Sequence, residues 1–151
     1  MKFRHSLLAF ALVLFTCGLA HADLDASLRS LNIGAEGDIG GYRTWVGAHF
    51  GASGPDIDLV LRSVDRPADA ALCFWLSLHS SRSIDVVIHE YRDHRGQGWG
   101  ALAKSLGIKP GSADFKALKR GDLGWHYDGA GDGHVKSKGR GQKKNKKNNH
   151  A

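Results

Sequence analysis

Apolar residues recur along the chain at spacings of three and four, and no stretch alternates with a period of two. The cleanest period lies in "SRSIDVVIHEYRDHRG". Ile84, Val87, Ile88 and Tyr91 step i, i+3, i+4, i+7, one face of a helix that Ser83 is placed to cap and Gly96 to end. Upstream, "RPADAALCFWLSLHSS" puts Pro67 in a first turn and is apolar nearly all round from Ala70 to Leu78. A helix without a polar face belongs at the centre, so 67–79 is predicted to be the hub of the core. "SGPDIDLVLRSVD" places Pro55 at a helix start, with Asp56 and Asp58 near its positive end and Ile57, Val60, Leu61 and Val64 as the apolar stripe. "DIGGYRTWVGAHFG" sets Ile39, Tyr42, Trp45, Val46, His49 and Phe50 on one face behind a capping Asp38. Its glycines cost up to about 1 kcal/mol each, so packing must hold it. Leu24, Leu28 and Leu31 predict a short amphipathic segment over 24–31, which "GAEGDIGG" then interrupts.

The stretch "RGQGWGALAKSLGIKPGSADFKALKRG", residues 95–121, reads as helix, tight turn, helix. Trp99, Leu102, Ala103 and Leu106 share one face; Gly107 stops it, and "KPGS" is turn chemistry. Ser112 caps a final short helix with Phe115 and Leu118 inward. The pattern predicts an all-α fold, a small bundle of five or six short helices over 23–124. Residues 125–151 form a Gly/Lys-rich tail that buries too little apolar surface to fold alone and is expected to be disordered.

The N-terminus narrows the compartment. Lys2 and Arg4 precede an apolar run from Leu7 to Phe15, and Ala20 and Ala22 sit where a signal peptidase reads small residues. Residues 1–22 therefore read as a secretory signal peptide cleaved before Asp23, with no transmembrane segment left afterwards. The apolar run is shorter than the ~20 residues a bilayer span needs. The expected location is periplasmic or extracellular. One cysteine, Cys73, then remains, so no internal disulfide can form and the core must supply stability. Charge is segregated. Residues 23–133 carry 12 bases and 15 acids, whereas from His134 onward Lys136, Lys138, Arg140, Lys143, Lys144, Lys146 and Lys147 meet no acid. Such a polycation binds polyanions with strong salt dependence, and an anionic envelope polymer is the expected partner.

Few residues suggest other chemistry. The corner at 95–121 has the spacing of a DNA-reading motif, but Asp114 at the start of its second helix repels phosphate and export removes the target. Sequence-specific DNA binding is therefore not expected. Trp99, Lys104 and Lys109 are the candidate recognition surface, which would make the corner a protein–protein adaptor. In "HEYRDH" the histidines stand five apart, not the four a zinc-protease helix requires. Asp85, His89 and Asp93, like Glu90 and His94, are spaced for side-chain support of a helix. His126, Asp128, Asp132 and His134 form an alternative metal set without the acid pattern of a calcium loop. No nucleophile–base constellation, phosphate loop or cysteine pair is present. No catalytic residues and no cofactor are assigned. A wall- or lipid-directed hydrolase around His89, Glu90 and Trp99 is the enzymatic alternative.

One run carries a resemblance. Tyr91, Arg95, Gly96, Gly98, Trp99, Gly100, Ala103, Lys104, Leu106 to Ser112, Asp114, Phe115 and Ala117 to Lys119 fit the pattern Y-x-x-x-(R/K)-G-x-G-W-G-x-(I/L)-A-K-x-L-G-I-K-P-G-S-x-(E/D)-F-x-A-L-K. This resembles a group of small exported bacterial proteins of unknown function, as does the upstream "LRSVDRPADA". The resemblance implies export and a small helical domain. It brings no activity and no catalytic residues.

Overall fold

A computed structural model of the chain describes residues 19–127 and 129. Seven helices and no strands occur among the described residues: α1 (Leu19–Gly37), α2 (Ile39–Phe50), α3 (Gly54–Ser63), α4 (Pro67–Ser80), α5 (Ile84–Asp93), α6 (Trp99–Ser105) and α7 (Ala113–Arg120). The fold is all-α, with seven helices where five or six were expected. The marginal first segment and the short last one both close as full helices.

The hub is where the apolar run placed it. Every residue of α4 from Ala68 to Leu76 is buried, and the helix packs against α1, α2, α3 and α5. Its start is built across the chain. Pro67 has no N–H to satisfy, and the Ala68 N–H donates to the buried Asn32 Oδ1 of α1 at 2.7 Å. The Asp69 N–H turns back to the Arg66 carbonyl at 3.0 Å. Tyr42 of α2 is fully buried and its hydroxyl donates to the Pro67 carbonyl. Cys73 is buried within α4, and burial pushes its thiol well above the ordinary range, which makes it a packing residue rather than a nucleophile.

Local signals explain most helix ends. Asp38 caps α2 through the Gly41 N–H, Ser53 caps α3, and Ser112 caps α7 through the Phe115 N–H at 3.1 Å. Ser83 stands at the α5 N-cap as expected but makes no side-chain cap bond. Arg43 and Asp58 pair across α2 and α3. His79 links α4 to α7, with Nδ1 2.8 Å from Asp114 Oδ1 and its ring stacked on Trp75 at 3.9 Å.

Two boundaries differ from the sequence reading. The helix expected over 24–31 runs on to Gly37 without interruption. Gly34 sits inside it because the chain after α7 passes close by: a Cβ there would lie 3.2 Å from the Gly129 backbone and from Tyr127 Cδ1. The folded unit also extends past residue 124. Trp125 and Tyr127 pack on the core, and the Tyr127 hydroxyl donates to the Asp38 carbonyl at 2.9 Å. Gly121 abuts Asp23 and Leu24 while Gly129 abuts Gly34, so this last segment runs alongside α1 from its start towards its end. Among the described residues no helix is long and apolar enough to cross a membrane.

Candidate binding cleft

Chemistry-bearing side chains converge at one place. An open cleft of about 310 Å³ lies where the start of α1, the α3–α4 connection, the end of α5 and the start of α6 meet. Asp25, Asp65, Arg66, Asp69, Tyr91, His94, Arg95, Trp99 and Leu102 line it, with Gly96 and Gly98. Both stretches that carry the resemblance, "LRSVDRPADA" and the run from Tyr91, meet here.

Asp69 and Tyr91 form its floor. Asp69 is 4% exposed because it occupies the first turn of the hub helix. Tyr91 donates to Asp69 Oδ2 at 3.2 Å and lies 3.4 Å from Asp65 Oδ2. Burial pushes the Asp69 carboxyl above its ordinary value. The Tyr91 hydrogen bond, the Arg66 charge and the Arg66 backbone amide pull it down, and the Asp65 charge adds to the rise. Tyr91 is raised by burial first and by the Asp69 charge second, so its hydroxyl remains a donor at neutral pH.

The rim is charged and half aromatic. Arg95 pairs with Asp65 Oδ1 at 2.7 Å, and its guanidinium carbon lies 5.9 Å from the Tyr91 ring centre. The Trp99 ring rests against Tyr91, centroids 5.5 Å apart at 34°. His94 Nδ1 turns away to Glu90, 3.0 Å from its carbonyl and 3.4 Å from its carboxylate. Arg92, just outside the cleft, donates to Ser63 Oγ at 3.0 Å and ties α5 to α3.

The residues singled out from sequence are placed as follows. Trp99 is half-buried on the cleft wall, while Lys104 and Lys109 are exposed and outside it. Neither His89 nor Glu90 lines the cleft; His89 is exposed and 3.2 Å from Asp93 on its own helix. That is the helix-supporting arrangement the spacing predicted. His126 is exposed and lines a separate shallow depression with Ser27, Ser30, Leu31, Trp125 and Tyr127. Asp128, Asp132 and His134 lie outside the described residues, as do Lys136, Lys138, Arg140, Lys143, Lys144, Lys146 and Lys147. Among the described residues no group of three or more His, Cys, Asp or Glu side chains is placed to hold a metal ion.

Asp25, Asp65, Arg66 and Asp69 were not singled out from the sequence. The one available signal was Asp69 itself, an acid two residues after the helix-starting Pro67 and immediately before a wholly apolar run. No protein-family model, curated protein or solved structure matches this chain.

Proposed function

We propose that this chain is an exported, non-enzymatic binding protein of the bacterial envelope, in which a compact helical domain carries a basic C-terminal segment that contacts anionic polymers. The observation that carries this reading is the segregation of charge. The body over 23–133 holds 12 bases and 15 acids, and the segment after it holds seven bases and no acid. Within the body, several ionisable groups are spent on holding helices together, as in Arg43 with Asp58 and His79 with Asp114. Export is supported by the pattern of residues 1–22.

The test replaces the seven bases of 136–147 with glutamine in the chain from Asp23 to Ala151. Co-sedimentation with peptidoglycan and binding to lipopolysaccharide at low salt should fall at least about tenfold, with helicity unchanged. Retained binding by the glutamine variant would move the function elsewhere.

A further inference from the structure

We propose that the cleft floored by Asp69 and Tyr91 is a recognition site for an alkylguanidinium or alkylammonium group, occupied in the present state by the chain's own Arg95. The Arg95 guanidinium already shows how such a group sits. It is 2.7 Å from one Asp65 oxygen and 5.9 Å from the Tyr91 ring centre, an ion pair with a cation over an aromatic ring. The pair is exposed, with about half of each side chain open to solvent, so it is weak and exchangeable. Arg95 is also not part of a helix. It sits in the connection between α5 and α6, beside Gly96 at φ +81° and close to Gly98 at φ +84°, left-handed backbone that glycine adopts without strain.

Two carboxylates share one hydroxyl at the floor. Asp69 Oδ2 and Asp65 Oδ2 both lie within reach of the Tyr91 oxygen, at 3.2 and 3.4 Å, yet a phenol has one proton and serves one carboxylate at a time. An ammonium brings three N–H donors and a guanidinium five, enough for both carboxylates. Trp99 and Leu102 beside Tyr91 give an apolar wall against which a methylene stem can lie. The cleft's formal charge selects the same sign: Asp25, Asp65 and Asp69 face Arg66 and Arg95, three negative against two positive. The Arg66 charge acts on Asp69, so it does not open the floor to anions. No residue of this site lies beyond Leu102, so the site stands whether or not the basic C-terminal segment contacts anionic polymers.

Agmatine is the probe, with succinate as the opposite-charge control. The readout is the Trp99 indole N–H and the Gly96 and Gly98 amides in ¹H–¹⁵N spectra of the chain from Asp23 to Ala151. Agmatine should give saturable shifts at these positions and succinate none. Arg95→Ala should tighten agmatine about two- to five-fold, the range an exposed ion pair is worth. Asp65→Asn, at an exposed position, should weaken it by a similar factor. Tighter agmatine binding when the seven bases of 136–147 become glutamine would support the site and identify those bases as its competing cation. Unchanged binding in that variant would support the site with a cation from outside the chain. Absence of saturation by agmatine, saturation by succinate instead, or weaker agmatine binding in Arg95→Ala would each overturn the proposal.

Discussion

Replacing Gly34 with alanine tests whether the segment after α7 is part of the folded unit. In a free helix interior the change stabilises by about 1 kcal/mol, because glycine loses more backbone entropy than alanine on folding. Here the new Cβ would lie 3.2 Å from both the Gly129 backbone and Tyr127 Cδ1, tighter than ordinary contact, so the segment must move by some tenths of an ångström. What moves is well anchored. The Tyr127 hydroxyl bond to the Asp38 carbonyl, at 2.9 Å, is worth about 1 kcal/mol. The Tyr127 ring contacts to Tyr42 at 5.6 Å and Trp45 at 5.4 Å add about 0.5–1.5 kcal/mol each. Losing part of this outweighs the propensity gain, and Gly34→Ala should destabilise by about 1 kcal/mol net. Gly37→Ala, in the same helix with nothing within 4 Å of its Cβ, should instead be neutral or gain a few tenths of a kcal/mol. In a Tyr127→Ala background the cost of Gly34→Ala should shrink by about 1 kcal/mol, a measurable coupling. Urea unfolding followed by far-ultraviolet circular dichroism and tryptophan fluorescence reads the unchanged protein and these variants. A stabilising Gly34→Ala in the otherwise unchanged protein would refute the docking of this segment on α1.

Four further outcomes follow from named contacts. Asn32→Ala strips the buried acceptor from the Ala68 N–H and should cost about 1–3 kcal/mol in chemical denaturation. Ser112→Ala should cost about 1 kcal/mol by the same assay and Ser83→Ala close to nothing, because only Ser112 bonds a first-turn N–H. Tyr91→Phe leaves the buried Asp69 carboxylate without its hydroxyl donor and should destabilise by about 1–3 kcal/mol at pH 7, visible as a lowered urea midpoint. His49, packed on Trp45 and Phe50, has a pKa lowered by desolvation, so the folded state disfavours its proton. Its contribution is fully present above the unfolded value of 6.5 and is lost as pH falls below that through the lower folded value. His49→Gln should flatten the stability profile between pH 7 and 5, measured by urea midpoints across that range.

The helical periods and the hub were legible because each rests on local pattern. A wholly apolar α4 can sit nowhere but the centre, and Ile84, Val87, Ile88 and Tyr91 carry an unambiguous period. What escaped the sequence depends on partners far along the chain. Gly34 reads as a helix breaker until Gly129 and Tyr127 are seen against it, and nothing local marks Asn32 as the acceptor for the Ala68 N–H. The cleft was hidden for a related reason. Tyr91 and Asp69 each look like helix positions taken singly, and 22 residues separate them until α4 and α5 pack together. Trp99 was singled out with Lys104 and Lys109 as a recognition surface, whereas the charged residues beside it in the cleft include Asp25 from α1 and Asp65 and Arg66 from the α3–α4 connection.

The most direct measurement of the central claim is the salt dependence of binding to lipopolysaccharide and to peptidoglycan, for residues 23–151 and for 23–133. The shorter chain retains every described core residue and lacks the seven bases of 136–147. The intact chain should bind with an affinity that falls steeply as a power of salt concentration, and the shorter chain should bind neither polymer at low salt. Salt-insensitive binding that survives in the shorter chain would contradict the account and place the interaction on the helical domain.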